Sequence, residues 1–118
     1  MNNYLNNAII CLLLVLLTAC IHTSTQTRTV WIDVRTEIEY TQDHIQGDLN
    51  LPLSSLDPEE LHRMFDNNTP INLYCRSGGR AARAKQIFEN AGFTQVTNTG
   101  GINDARKLRN LPIPDSTN

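Results

Sequence analysis

No run of basic residues occurs anywhere in the chain. Ten Lys and Arg stand against twelve Asp and Glu, for a formal net charge of −2. Aromatic residues make up only 6% and do not interleave with the basic ones. A nucleic-acid-binding surface is therefore not expected. Metal ligands are equally scarce. His44 and His62 have no cysteine or second histidine at ligand spacing, so neither a metal site nor a cofactor is expected. No internal repeat is visible. The longest apolar run, Ala8 to Leu17, is too short to cross a bilayer comfortably. Cysteine is limited to three, Cys11, Cys20 and Cys75.

The apolar run has the length of a signal-peptide core. Leu17-Thr18-Ala19-Cys20 follows it and matches a bacterial lipobox, in which Cys20 would receive a diacylglycerol before cleavage. Met1 to Asn7 contains no Lys or Arg, so only the α-amino group supplies positive charge there. A non-lipidated signal peptide or an uncleaved anchor is the alternative. The expected organisation is a signal peptide over residues 1–19, a Thr- and Ser-rich tether over 20–29, one folded domain over 30–114 and a polar tail over 115–118. The expected place is the bacterial cell envelope, as a periplasm-facing lipoprotein or a soluble periplasmic protein. Ile21 rather than Asp follows Cys20, which leans towards the outer membrane.

After cleavage and lipidation, Cys75 would be the one thiol left, with no intramolecular partner. That suits a working thiolate. Its neighbours point the same way. Ile71 to Tyr74 reads as a buried strand ending on Cys75, and Ala81 to Ala91 reads as a helix. A helix's first N–H groups lack internal partners, and its dipole places partial positive charge there. Gly78 and Gly79 allow successive backbone N–H groups to curl around an anion. Arg76 and Arg80 add fixed charge. Such surroundings lower a thiol's pKa and make it a nucleophile.

Cys75-Arg76-Ser77-Gly78-Gly79-Arg80 resembles the active-site loop of rhodanese (sulfurtransferase) domains, in particular the small single-domain periplasmic members. Asp33-Val34-Arg35 with Glu39-Tyr40 resembles that family's first strand and following turn. His44-Ile45-Gln46-Gly47 through Asn50-Leu51-Pro52 resembles its H-I-x-G-x-x-N-[IL]-P segment. The likeness runs from about Val30 to Leu111. Asp48 departs from it, standing where a small residue is usual, and a tryptophan often found after the late glycine pair is missing.

The resemblance implies a three-layer α/β domain, with a mostly parallel central sheet and helices on both faces. The pattern of alternating strands and helices agrees. Strands are expected at Val30–Val34, Asp48–Leu51, Ile71–Tyr74 and Thr94–Thr97. Asp57-Pro58-Glu59-Glu60 opens a helix with a cap, a first-turn proline and first-turn acids, with Leu61, Met64 and Phe65 on its apolar face. Ala84, Ile87, Phe88 and Ala91 share a face of the helix after Cys75, and Gly92 ends it. Asn98 to Gly101 is expected to turn, with Gly100 and Gly101 bordering the site, and Asn103 to Arg109 to form a short helix.

The function implied is sulfur transfer. Cys75 would take the outer sulfur of thiosulfate as a persulfide and pass it to cyanide or a thiol. Arg76, Ser77, Gly78, Gly79 and Arg80 would bind the anionic donor. Arg80 could instead anchor the loop to an acid. Asp33, Arg35 and Glu39 are expected to form an ion-paired network beside the site. Two alternatives remain open: a non-catalytic or protein-partnered sulfur-relay module, and a cysteine phosphatase or arsenate reductase. The phosphatase pattern is C-x5-R, whereas Cys75 to Arg80 is C-x4-R, a loop one residue shorter and better sized for a single sulfur. A monomer is expected.

Overall fold

The computed structural model describes residues 27–115. Its centre is β3 (Ile71–Cys75), a strand with apolar residues on both faces. Parallel strands covered on both sides need this pattern. β1 (Val30–Asp33) pairs with one edge of β3 and β4 (Val96–Gly101) with the other, while the short β2 (Leu49–Asn50) pairs outside β1. The sheet order is β2-β1-β3-β4, all parallel. The helices are α1 (Glu37–Gln42), α2 (Pro58–Met64), α3 (Gly79–Asn90) and α4 (Ile102–Leu108), with a 3₁₀ turn at Leu53–Ser55.

Alternation along the strands divides the core. Ile32 and Leu73 face a cluster with Leu61 of α2 and Ala81, Ala84 and Phe88 of α3. Tyr74 faces the other way, against Ile45 and against Ile102 and Ala105 of α4. The small Ala81 and Ala84 bring α3 close beneath the end of β3. The three-layer expectation is therefore met.

Local signals set several boundaries. The Asp57 carboxylate accepts the Glu59 N–H at 2.8 Å, with Pro58 as the first helical residue. Other boundaries move. α3 begins at Gly79 rather than Ala81, because Gly78 itself serves as its N-cap. β4 runs on to Gly101, where a turn was expected. Leu73 lies opposite Asn98 but Cys75 lies opposite Gly101, so β4 carries one extra residue in between. This bulge bends β4 towards the end of β3. Met64 is not on the buried face; it is 40% exposed, and Leu61 and Phe65 alone turn inward.

Candidate active site

The chain leaves β3 at Cys75 and enters α3 at Gly79, so Arg76, Ser77 and Gly78 form a tight corner over the sulfur. Cys75 is buried at 1% exposure. Gly78 has φ +94, a conformation that L side chains rarely adopt. In that conformation its N–H donates to Cys75 Sγ at 3.0 Å. Burial by itself pushes the thiol's pKa up. The backbone N–H groups of Ala81, Ser77, Gly78 and Arg80 outweigh it and bring the pKa below its ordinary value. Arg80 and Ala81 belong to the first turn of α3, whose amides have no partner within the helix. The loop thus presents donors to one sulfur atom.

The two arginines have different surroundings. Arg80 is clamped by Glu39 of α1, with N–O distances of 2.6 and 2.8 Å. Its backbone faces the sulfur while its guanidinium is held by the acid, so it anchors the loop. The Arg80 bonds also hold the Glu39 carboxyl well below the usual carboxylate range. Arg76 is exposed and borders a cleft of 480 Å³ shared with Arg35, Glu39, Gln42, Asp43 and Asn103. The other charged groups of this cleft are committed. Arg35 binds the Asp33 carboxylate at 2.7 Å and the Asp43 carbonyl at 2.6 Å. The Asp43 carboxylate binds the buried Arg106 at 2.6 Å. Among the described residues, Arg76 is the cation of this cleft without an acid partner.

The expected network of Asp33, Arg35 and Glu39 is thus divided. Asp33 and Arg35 pair with each other at the end of β1, next to the site. Glu39 instead caps α1 through Thr36 and holds Arg80. Asp48 is explained by its partners: it accepts the Tyr74 hydroxyl at 2.9 Å and Arg109 at 2.7 Å, and Arg109 lies 4.6 Å over the Trp31 ring. His44 stacks on Tyr40 and His62 on Phe93. Cys20 lies outside the described residues.

Gly100 and Gly101 border the loop as expected, but sequence reasoning missed the side-chain support that β4 gives it. Asn98 Nδ2 donates to the Gly78 carbonyl at 3.0 Å, and Asn98 Oδ1 accepts the Gly100 N–H at 2.9 Å. Thr99 Oγ1 donates to the Leu73 carbonyl at 2.9 Å, and the Asp104 carboxylate accepts the Gly101 N–H at 2.8 Å. Gly101 lies directly against the loop: a Cβ there would stand 2.5 Å from the Arg76 carbonyl oxygen. The spacing of Gly101 to Asp104 is that of an acid reaching back to a helix cap, a signal available in the sequence.

The Gly78 N–H on Cys75 Sγ thus lies at the carboxyl end of a central parallel strand. The profile of the rhodanese-like domain family matches residues 20–107. The chain belongs to the rhodanese-like family. The thiosulfate sulfurtransferase PspE of Escherichia coli (strain K12) is 38% identical over 74 residues, 63% of this chain and 71% of the relative. Thiosulfate sulfurtransferase 16, chloroplastic, of Arabidopsis thaliana is 33% identical over 92 residues, covering 70% of this chain and 77% of the relative. Among solved structures, a rhodanese with anions from E. coli superposes with a TM-score of 0.60 at 36% identity, over 65% of this chain and 91% of that one. The rhodanese domain described here places the six residues from Cys75 to Arg80 in one corner.

Proposed function

We propose that this protein is a sulfurtransferase that moves a sulfane sulfur from thiosulfate, or a related donor, to cyanide or a thiol through a persulfide on Cys75. The observation that carries this reading is the Gly78 N–H on Cys75 Sγ within a set of inward-facing amides. The Cys75 thiolate attacks the outer sulfur of thiosulfate. A sulfur–sulfur bond forms to Cys75 as the one within thiosulfate breaks, and sulfite leaves with the electron pair. The terminal sulfur of the persulfide carries the negative charge, and the loop amides hold it by preorganised hydrogen bonds. Cyanide or a thiolate then attacks that sulfur, and the Cys75 thiolate is regenerated. Arg76, the unpaired cation of the neighbouring cleft, receives the dianionic donor. Arg80 contributes its amide and its anchorage to Glu39. The relatives named thiosulfate sulfurtransferase support this choice of donor. The C-x4-R spacing favours a sulfur over a phosphoryl group.

Exposure to thiosulfate is expected to add one sulfur atom to the protein, read by intact mass, and cyanide to remove it as thiocyanate. Cys75→Ser should abolish both steps. A serine variant that still forms thiocyanate would overturn the assignment. We further propose that Cys20 carries a lipid that tethers the domain to a membrane of the cell envelope, outside the cytoplasm, on the strength of Leu17-Thr18-Ala19-Cys20 after an apolar core.

A further inference from the structure

Gly78 poses a conformational problem. Its N–H must point at the sulfur, yet it carries no side chain to fix the backbone, and a glycine moves between φ regions freely. Its neighbour Gly79 adds no side-chain restraint. The N-cap of α3 has no side-chain cap bond. The conformation has to be held from outside the loop.

Two donors hold it. The Gly78 carbonyl accepts the Ala82 N–H at 2.9 Å, the first bond of α3, and the Asn98 side-chain amide at 3.0 Å. Asn98 is itself oriented, because its Oδ1 accepts the Gly100 N–H at 2.9 Å. That bond distinguishes the two ends of the amide and turns Nδ2 towards Gly78. Gly78 is thereby fastened at both ends, N–H on Sγ and C=O on Asn98. The bulge in β4 supplies the reach, since it follows Asn98 and brings Gly100 and Gly101 beneath the loop.

We propose that Asn98 is a positioning residue that sets the acidity and reactivity of Cys75 by locking the Gly78 peptide with its N–H on the sulfur. The proposal takes Cys75 as the reactive group of the proposed function. Asn98 bonds the Gly78 carbonyl rather than the sulfur, so it acts through Gly78. The charged groups around Cys75 are otherwise few. Arg80 on α3 faces it and is balanced by Glu39 of α1. Asp33 and Arg35 neutralise each other at the end of β1. Arg76 leads the loop, and Asp104 of α4 is turned to the Gly101 N–H. Asn98 makes no ion pair with any of these groups.

The test is the pH dependence of Cys75 alkylation by iodoacetamide in the domain from Cys20 onward with Cys20→Ser, so that Cys75 is the single thiol. The reference midpoint is expected below the ~8.5 of a free cysteine. Asn98→Ala removes the bond to Gly78, and the midpoint should rise by roughly half a unit to one unit. Asn98→Asp has nearly the same shape but sets an acceptor against an acceptor and adds negative charge, so its midpoint should rise further. Thermal melting is followed for each variant, and alkylation is compared well below each Tm. Folded Asn98→Ala and Asn98→Asp proteins with the reference midpoint would overturn the proposal, as would a changed Tm with an unchanged midpoint. Because Asn98→Asp also adds a charge, the neutral variant decides; if Asn98→Ala does not fold, Asn98→Ser takes its place. Alkylation needs no sulfur donor. A reference protein that fails to load sulfur while its midpoint still moves with Asn98 would therefore sink the proposed function alone. Normal loading with a fixed midpoint would sink the positioning role alone.

Discussion

Arg76 and Arg80 stand in one loop but face different partners, and the difference decides what each can contribute. Arg80 spends its guanidinium on Glu39, whereas Arg76 is open to the cleft. Arg76→Ala should lower kcat/KM for thiosulfate by about tenfold or more, given ~1.5–3 kcal/mol for a charged hydrogen bond. Loss should appear mainly in KM, and steady-state kinetics at several thiosulfate concentrations will separate the two constants. A variant with unchanged KM would remove Arg76 from donor binding. Gly101 makes a second residue-scale prediction. A methyl group there meets the Arg76 carbonyl at 2.5 Å, well inside van der Waals contact, and backbone is what must give. Gly101→Ala should slow sulfur loading and lower the Tm together; wild-type loading rates in the alanine variant would show that the loop tolerates displacement. Cys75 and the loop were legible in the sequence because their chemistry is local: the nucleophile, glycines and arginines sit within six consecutive residues. The Asn98 contact was not, since Asn98 meets Gly78 across twenty residues of sequence and only the folded sheet brings them together.

At the scale of elements, α1 works as a brace. It is short and has no buried residues, so packing alone cannot hold it. Its charges do. Glu39 joins it to α3 through Arg80, and Asp43 at its end joins it to α4 through Arg106. Bonds from Arg80 and from Arg106 depress the two carboxyl pKa values. A depressed folded-state pKa gives stability that is present above the unfolded value and is lost as pH falls through the folded one. The Tm should therefore decline as the pH drops below ~4, the free carboxylate range. Glu39→Gln should lower the Tm at neutral pH and flatten part of that decline, measured by thermal melts from neutral to acid pH. A glutamine variant with the same pH profile as wild type would assign the acid sensitivity elsewhere. The start of α2 follows from adjacent residues, and Asp57-Pro58 was readable for that reason. The partner of Glu39 was not, because two acids and three arginines near the site allow several pairings and geometry selects one.

At the scale of the whole molecule, the proposed anchor precedes the described residues and the folded domain lies within them. If Cys20 carries lipid, Cys20→Ser should release the protein from the membrane fraction or block its processing, read by fractionation and intact mass. A wild-type protein found soluble in the cytoplasm with residues 1–19 intact would overturn the anchor. The folded domain itself has a consequence for traffic through the site. Its one described thiol sits at 1% exposure, at the bottom of the corner. The persulfide proposed on Cys75 would add a single sulfur–sulfur bond of ~2 Å. On that proposal the cargo would travel on a very short arm, and delivery would depend on the recipient's shape as much as on its nucleophilicity. A slender ion such as cyanide can enter the corner unaided. A thiol must stand at the tip of something narrow. With Arg76 and Ser77 exposed above the buried Cys75, a recipient whose sulfur is flush with its own surface is expected to discharge the cargo more slowly than a slender one.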